Sequence, residues 1–202
     1  MERLVPEEKA FRVSAVLLAA GAGRRFGDGG KLLSPHAGGR LIDGALRLAL
    51  AAPVDEVLLV TGSRGAAVAD HALALVRDPR LRIVSAPDWA EGLAASLRAG
   101  VRAAGPADAV LVLLGDMPRI PASVLSPLVD AVRRGGLAAA PVFDGQRGHP
   151  VVFSAALYPQ LLALAGDQGA GRLLVGLEGA LSLVEAPDDG VLYDVDIPAD
   201  LP

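Results

Sequence analysis

The chain has 202 residues, 52% of them hydrophobic and 21% charged, with a formal net charge of −4, which is room for one domain with a sizeable core and an ordinary globular composition. No run reaches the roughly 18 uninterrupted apolar residues of a spanning helix, and the acidic balance leaves no basic footprint of the kind nucleic-acid binders carry, so neither membrane nor nucleic acid is expected as a partner. The amino end, MERLVPEEKAFR, lacks the apolar stretch of a secretory signal, and the absence of cysteine removes disulfides and thiolate metal sites; a cytoplasmic location is expected.

In chain order, the first predicted strand is Val13 to Leu18, and LAAGAGRRFGDGGK, residues 18 to 31, follows directly on it. Glycines at 21, 23 and 27 let the backbone pass close to a ligand and take positive φ at little steric cost, so that successive N–H groups can point at one anion. Arg24, Arg25 and Lys31 add positive charge around the same point. Only two lysines occur, Lys9 and Lys31, against 17 arginines; a compact ammonium kept at the end of a glycine-rich turn suggests phosphate as its partner. The turn is neither a Walker loop nor a Rossmann fingerprint, because Gly30-Lys31 is not followed by Ser or Thr and Gly-x-Gly-x-x-Gly is broken. A glycine-rich surface turn without a ligand is the plain alternative. Its place after the first strand of an α/β sheet favours a ligand, since ligands bind beyond the carboxyl ends of such strands.

Helix candidates at Leu41 to Ala52, Ala66 to Val76, Leu93 to Ala104 and Ser123 to Arg134 alternate with strand candidates at Val54 to Val60, Leu81 to Ser85 and Ala109 to Leu114. Strands separated by crossover helices imply a parallel sheet covered on both faces. Behind the 109–114 run stands Leu114-Gly115-Asp116-Met117-Pro118, which puts Asp116 on the same rim as the glycine turn, where a hard cation such as Mg2+ would need a carboxylate. Gly-Asp-x-Pro is also good turn chemistry. After Arg134 the pattern changes: Leu137 to Phe143, the turn Asp144-Gly145, and Pro150 to Phe153 read as two strands joined by a loop, making part of the sheet antiparallel. Helical segments at Ala155 to Leu164 and Gly171 to Leu177, a strand at Leu181 to Glu185, and Asp194-Val195-Asp196-Ile197-Pro198 complete the pattern. Asp196 is expected to end a last strand before a Pro that can start a short helix. Asp116 and Asp196 could then hold one metal that bridges substrate phosphates, with Asp194 as the rival ligand. No repeat, low-complexity tract or linker interrupts the chain, so residues 1–202 read as a single domain.

LAAGAGRRFGDGGK resembles the signature loop of sugar-phosphate and cofactor nucleotidyltransferases, LAAGxGxRxG followed by Lys. Val60-Thr61-Gly62, WAEGLAASLRAG from Trp89, LGDMP, RGHPVVF from Arg147, GDQGAG from Gly166 and the segment Asp194 to Pro198 are similar, more narrowly, to molybdenum cofactor cytidylyltransferases and related molybdopterin nucleotidyltransferases. That resemblance implies a three-layer α/β/α, Rossmann-like domain with a mostly parallel mixed sheet. It implies a nucleotide site at Leu18, Ala19, Ala20 and Gly21 for base and ribose, Gly23, Arg25 and Lys31 for the triphosphate, and Thr61, Ser96 and Asp116 beside it. Ala20, where guanylyl-transferring relatives tend to have Gly, implies CTP over GTP. Asp116 and Asp196 would bind Mg2+, and His149 and Asp167 would be the polar groups on the pterin side. Two departures accompany the likeness: the interval from Gly27 to Lys31 is one residue longer than in many cytidylyl-transferring relatives, and Gly171 stands where Arg is common.

The implied reaction is attack by the terminal phosphate of a molybdopterin-type acceptor on the α-phosphorus of CTP, with the product passed on to a molybdoenzyme. A phosphate monoester is mostly dianionic at neutral pH, so no general base is required; charge neutralisation by Lys31, Arg25 and the metal, with in-line placement, carries catalysis. Guanylyl transfer, transfer to a sugar or alditol phosphate, and a non-catalytic maturation module are the alternatives. Local readings compete at single residues: His149 could be a loop residue with local hydrogen bonds, Asp167 a helix cap, Trp89 a packing anchor rather than a stacking platform, and His36 and His71 surface residues.

Overall fold

The computed structural model describes residues 10–23, 25–26, 30–167 and 169–200; Arg24 and Gly27 of the glycine-rich turn lie outside them. The first half alternates as predicted: β1 (Val13–Ala19), α1 (Leu41–Ala51), β4 (Glu56–Thr61), α2 (Gly65–Leu75), β5 (Leu81–Ser85), α3 (Leu93–Ala104) and β6 (Ala109–Leu114). Between β1 and α1 lies a small unforeseen hairpin of β2 (Pro35–His36) and β3 (Gly39–Arg40), each only two residues long and so without periodicity to read. The second half contains α4 (Leu125–Arg133), β7 (Ala138–Phe143), β8 (Gln146–Arg147), β9 (Val151–Ser154), α5 (Tyr158–Leu162), α6 (Gly171–Val175) and β10 (Leu181–Glu185).

The strands are ordered β10-β7-β9-β6-β1-β4-β5. β1 pairs in parallel with both β4 and β6, while β9 lies antiparallel between β6 and β7. The sheet is therefore mixed and mostly parallel. Asp144 and Gly145 take positive φ (47° and 75°), the backbone twist that a two-residue hairpin favours. They join β7 to the short β8, whereas the expected reading joined β7 to the 150–153 strand; that strand, β9, returns separately.

Both faces of the central strands are apolar, as strands buried on two sides require. Ala15, Leu17, Leu59 and Leu111 pack with Leu46 of α1, Val68 of α2 and Leu128 of α4. Their alternating neighbours Val16, Leu18, Leu58 and Val110 pack with Leu97 of α3, Leu161 of α5 and Leu174 of α6. Three layers result. Gly100 is needed where α3 crosses β1, since a Cβ there would overlap the Val16 side chain.

The segment 194–197 is not a strand. The Asp200 carboxylate accepts the N–H groups of Asp196 and Ile197, each at 2.8 Å, and so takes the donors a ladder would have used. The chain turns instead into a short 3-10 turn at Pro198–Asp200. Among the described residues no helix is long and apolar enough to cross a membrane.

Candidate active site

The rim where β1, β4 and β6 end is tied together by backbone. Gly115 N donates to Leu18 O at 2.9 Å, and Ser63 N donates to Ala20 O at 3.0 Å. Gly62 lets this rim close: a Cβ there would lie 2.6 Å from both Cβ and Cγ of Trp89 and 2.8 Å from the Ala20 methyl. Gly23, at φ 55°, turns the loop back on itself, and its missing Cβ would stand 2.6 Å from Lys31 Cβ. Gly21 differs from both. It has no positive φ and, among the described residues, nothing within 4 Å of where a Cβ would be; this residue lines the cleft.

That cleft encloses about 750 Å³, and its lining combines the loop from Leu18 to Gly23 with Lys31, Ser96, Asp116, Asp167 and Asp196. At its centre Lys31 Nζ donates to Asp116 Oδ2 at 2.6 Å and to Asp196 Oδ1 at 3.2 Å. The Lys31 side chain is only 13% exposed, so the pair with Asp116 is partly desolvated. Asp196 arrives from far along the chain. Val195 N donates to Asp116 O at 3.1 Å while the Val195 side chain is fully buried, which sets Asp196 against Lys31. Asp194 joins the same group of charges: desolvation, then the neighbouring charges of Asp196 and Asp116, push its carboxyl above the ordinary range, against the pull of Lys31.

The carboxylate pair fits a divalent cation. Two acidic side chains converge on one positive charge, which an ammonium supplies here, and the open cleft leaves further positions for phosphate oxygens and water. Among the described residues no group of three or more His, Cys, Asp or Glu is placed to hold a metal ion.

A second cavity of about 410 Å³ adjoins the cleft, with Leu18, Leu93 and Leu114 belonging to both walls. Its lining is mainly aliphatic, with Phe153, and its polar groups come from the 146–149 segment. His149 N donates to Val191 O at 2.8 Å. Burial holds the His149 imidazole below its ordinary pKa, opposed by the charge of Asp116, and its Nδ1 is buried without a hydrogen-bond partner among the described residues. Gly148 is required here because a Cβ would run into the Val191 carbonyl.

The expected residues thus divide between two spaces. Asp167, expected beside His149, lines the cleft with Lys31, whereas Gly169, Ala170 and Gly171 of the same segment line the second cavity. The loop reaches both because Gly92 (φ 119°) leaves room for Gly166 and Asp167 against the start of α3, where Ala94 N donates to Gly166 O. Thr61 is not among the cleft-lining residues: it is buried, and its hydroxyl donates to Val84 O at 3.4 Å. Trp89 both packs on Gly62 and lines the cleft. His71 is not a free surface residue; it is half-buried, 2.6 Å from Oδ1 of the buried Asp43, and His36 is half-buried too. Leu93 and Leu114, the shared wall, were not singled out from sequence, since aliphatic residues at element ends carry no chemical signal. Arg64 was also passed over. It is the non-glycine residue at φ 56° before α2, and its side chain lies against Gly30.

The family model for the MobA-like NTP transferase domain matches residues 15–181. The chain is 35% identical to nicotine blue oxidoreductase of Paenarthrobacter nicotinovorans, covering 91% of this chain and 92% of the relative. It is 34% identical to the purine catabolism protein PucB of Bacillus subtilis (91% of each). With molybdenum cofactor cytidylyltransferase of Escherichia coli it shares 27% identity over 93% of each chain. A solved nucleotidyl transferase from Methanothermobacter superposes with a TM-score of 0.78 at 30% identity, covering 95% of this chain and 94% of that one.

Proposed function

The chain belongs to the MobA-like NTP transferase family and is a nucleotidyltransferase of that type; from that premise we propose that it transfers CMP from CTP to molybdopterin carrying molybdenum, releasing pyrophosphate. The observation that carries the reading is the junction of two spaces. The cleft with the Lys31–Asp116–Asp196 group and the cavity with His149 share the Leu18–Leu114 wall, so a nucleotide in one and an acceptor in the other would meet beside Asp116. Gly21 supports the nucleotide half, since it lines the cleft and no described residue stands within 4 Å of where its Cβ would be.

In this reading the backbone from Leu18 to Gly21 holds base and ribose, and Ser96 and Asp167 lie along the same wall. Lys31 and Arg25 neutralise the triphosphate. The acceptor phosphate is already dianionic and needs no base, and the walls of the two spaces align it with the α-phosphorus. A divalent cation held by Asp116 and Asp196, Mg2+ in this proposal, would supply Lewis-acid charge to the phosphate that develops negative charge. His149 faces the acceptor as a neutral imidazole.

Pyrophosphate release measured with CTP, GTP or ATP and molybdopterin tests the proposal. CTP with the pterin acceptor is expected to give the fastest release, and isothermal titration is expected to rank CTP first. Tighter binding of GTP would remove Ala20 as the base cue, and faster release with a sugar phosphate would move the acceptor out of the pterin class.

A further inference from the structure

We propose that Lys31 is the resident counter-ion of the cation site and that it makes divalent-cation binding depend on an anionic ligand arriving with the cation. The inference rests on Asp116 and Asp196 being the cation ligands. Lys31 Nζ stands 2.6 Å from one carboxylate and 3.2 Å from the other, so the ammonium occupies the point on which both converge. A second positive charge at that point meets like-charge repulsion and carboxylate oxygens already engaged. A cation alone therefore competes with Lys31 for Asp116 and Asp196. A triphosphate changes the balance by offering the ammonium another anion within the same cleft.

The residue type and the backbone agree with this role. Gly23 stands against the Lys31 backbone and Cβ, and Ser34 N donates to Lys31 O at 3.1 Å, so packing places the base of the side chain and leaves the ammonium to its carboxylate partners. An arginine would clamp the carboxylates through a planar fork with two parallel bonds; a lysine holds them as a point charge that a phosphate can draw away. In a chain with 17 arginines and only two lysines, a counter-ion that must let go accounts for Lys at position 31. By reciprocity the nucleotide and the cation then raise each other's affinity by the same factor.

The test uses Mn2+ alone, without nucleotide, counted by the paramagnetic resonance signal of the free ion against wild type, Lys31→Met, Lys31→Gln, Lys31→Arg and the Lys31→Gln/Asp116→Asn double variant. The neutral variants are expected to bind one Mn2+ about tenfold more tightly than wild type, Lys31→Arg no more tightly, and the double variant to lose that binding. Either neutral variant that folds, checked by circular dichroism, suffices. If wild type binds Mn2+ as tightly as the neutral variants, the counter-ion role falls and the cation site stands. If neither the neutral variants nor wild type with CTP binds Mn2+, the cation site falls with it. Retention of the gained Mn2+ in the double variant places the ion elsewhere and also overturns the inference.

Discussion

The β6-β1-β4-β5 half of the sheet and the β9-β7-β10 half are put together by different means. In the first, every strand runs the same way and each crossover passes through a helix. The loops at its carboxyl edge are pinned by backbone bonds between adjacent strand ends, as Gly115 is to Leu18. In the second, β9 runs against both its neighbours while β10 runs with β7, and the rim is closed by side-chain-free contacts: Gly148 against Val191 and Gly190 against the Arg119 carbonyl. The cleft thus lies at the end of a uniform parallel array, and the second cavity lies beside the antiparallel strand β9. Asp196 comes from the 189–200 segment that packs on the second half, yet it lines the cleft, where Val195 N donates to Asp116 O and Lys31 Nζ to Asp196 Oδ1.

The sharpest test of that division is Asp116→Asn. Asp116 lies at the seam, on the carboxyl end of β6, and contacts Lys31 in the cleft. Its loss as a charge is expected to lower turnover by about 10²–10³-fold, the scale of removing one preorganised electrostatic group. Circular dichroism and the thermal midpoint should stay near wild type, because the Asp116 backbone, which accepts from Val195, is unchanged. Near-normal pyrophosphate release would take Asp116 out of the chemistry.

The same division explains what could be read from the sequence. The parallel half repeats strand, loop and helix with apolar runs long enough to show their period, and its chemistry sits in contiguous stretches such as 18–31 and 114–118. The pairing of Lys31 with Asp116 and Asp196 crosses 85 and 165 residues, and periodicity says nothing about such distances; the shared rim of an α/β sheet and the family resemblance brought these residues to one site. The strand expected to end at Asp196 failed for a local reason, capture of two N–H groups by Asp200, while the short helical turn expected from Pro198 is present. Thr61 was drawn toward the ligand by its neighbourhood in the chain, but alternation on β4 turns its hydroxyl to Val84. His71 and Asp43 form a pair between α1 and α2 that no spacing rule announces.

Gly148→Ala addresses the second cavity alone. The added methyl would collide with the Val191 carbonyl and push apart the bond from His149 N to Val191 O, at a cost of about 1–3 kcal/mol for overpacking. Trp89, the sole tryptophan, lines the cleft, so its fluorescence reports nucleotide binding directly. CTP affinity is expected to hold while the KM for the acceptor rises; a matching loss of CTP affinity would mean that the two sides are not separable.

A pH titration probes the same wall more gently. Because burial lowers the folded-state pKa of His149 below its ordinary 6.5, the unfolded chain binds the proton more readily. Its contribution to stability is complete above the ordinary value and is lost as pH falls from there toward the lowered one. The thermal midpoint of wild type should therefore fall more steeply between neutral and mildly acid pH than that of His149→Gln. Parallel slopes would mean that His149 is not held neutral in the fold.

Arg119→Ala should have the smallest effect. The Arg119 guanidinium lies 3.9 Å from the centre of the Tyr193 ring, and the Tyr193 hydroxyl donates to the Asp200 carbonyl, so the stack steadies the segment that carries Asp196. At an exposed site such a contact is worth about 0.5–1 kcal/mol, too little to unfold the sheet. If Asp196 is held chiefly by Val195 and Asp200, the variant loses that increment of stability with turnover nearly intact. A fall in kcat larger than the stability loss would show that the 189–200 segment positions Asp196 only when the stack is in place, and would make the mixed half of the sheet part of the geometry around Lys31 and Asp116.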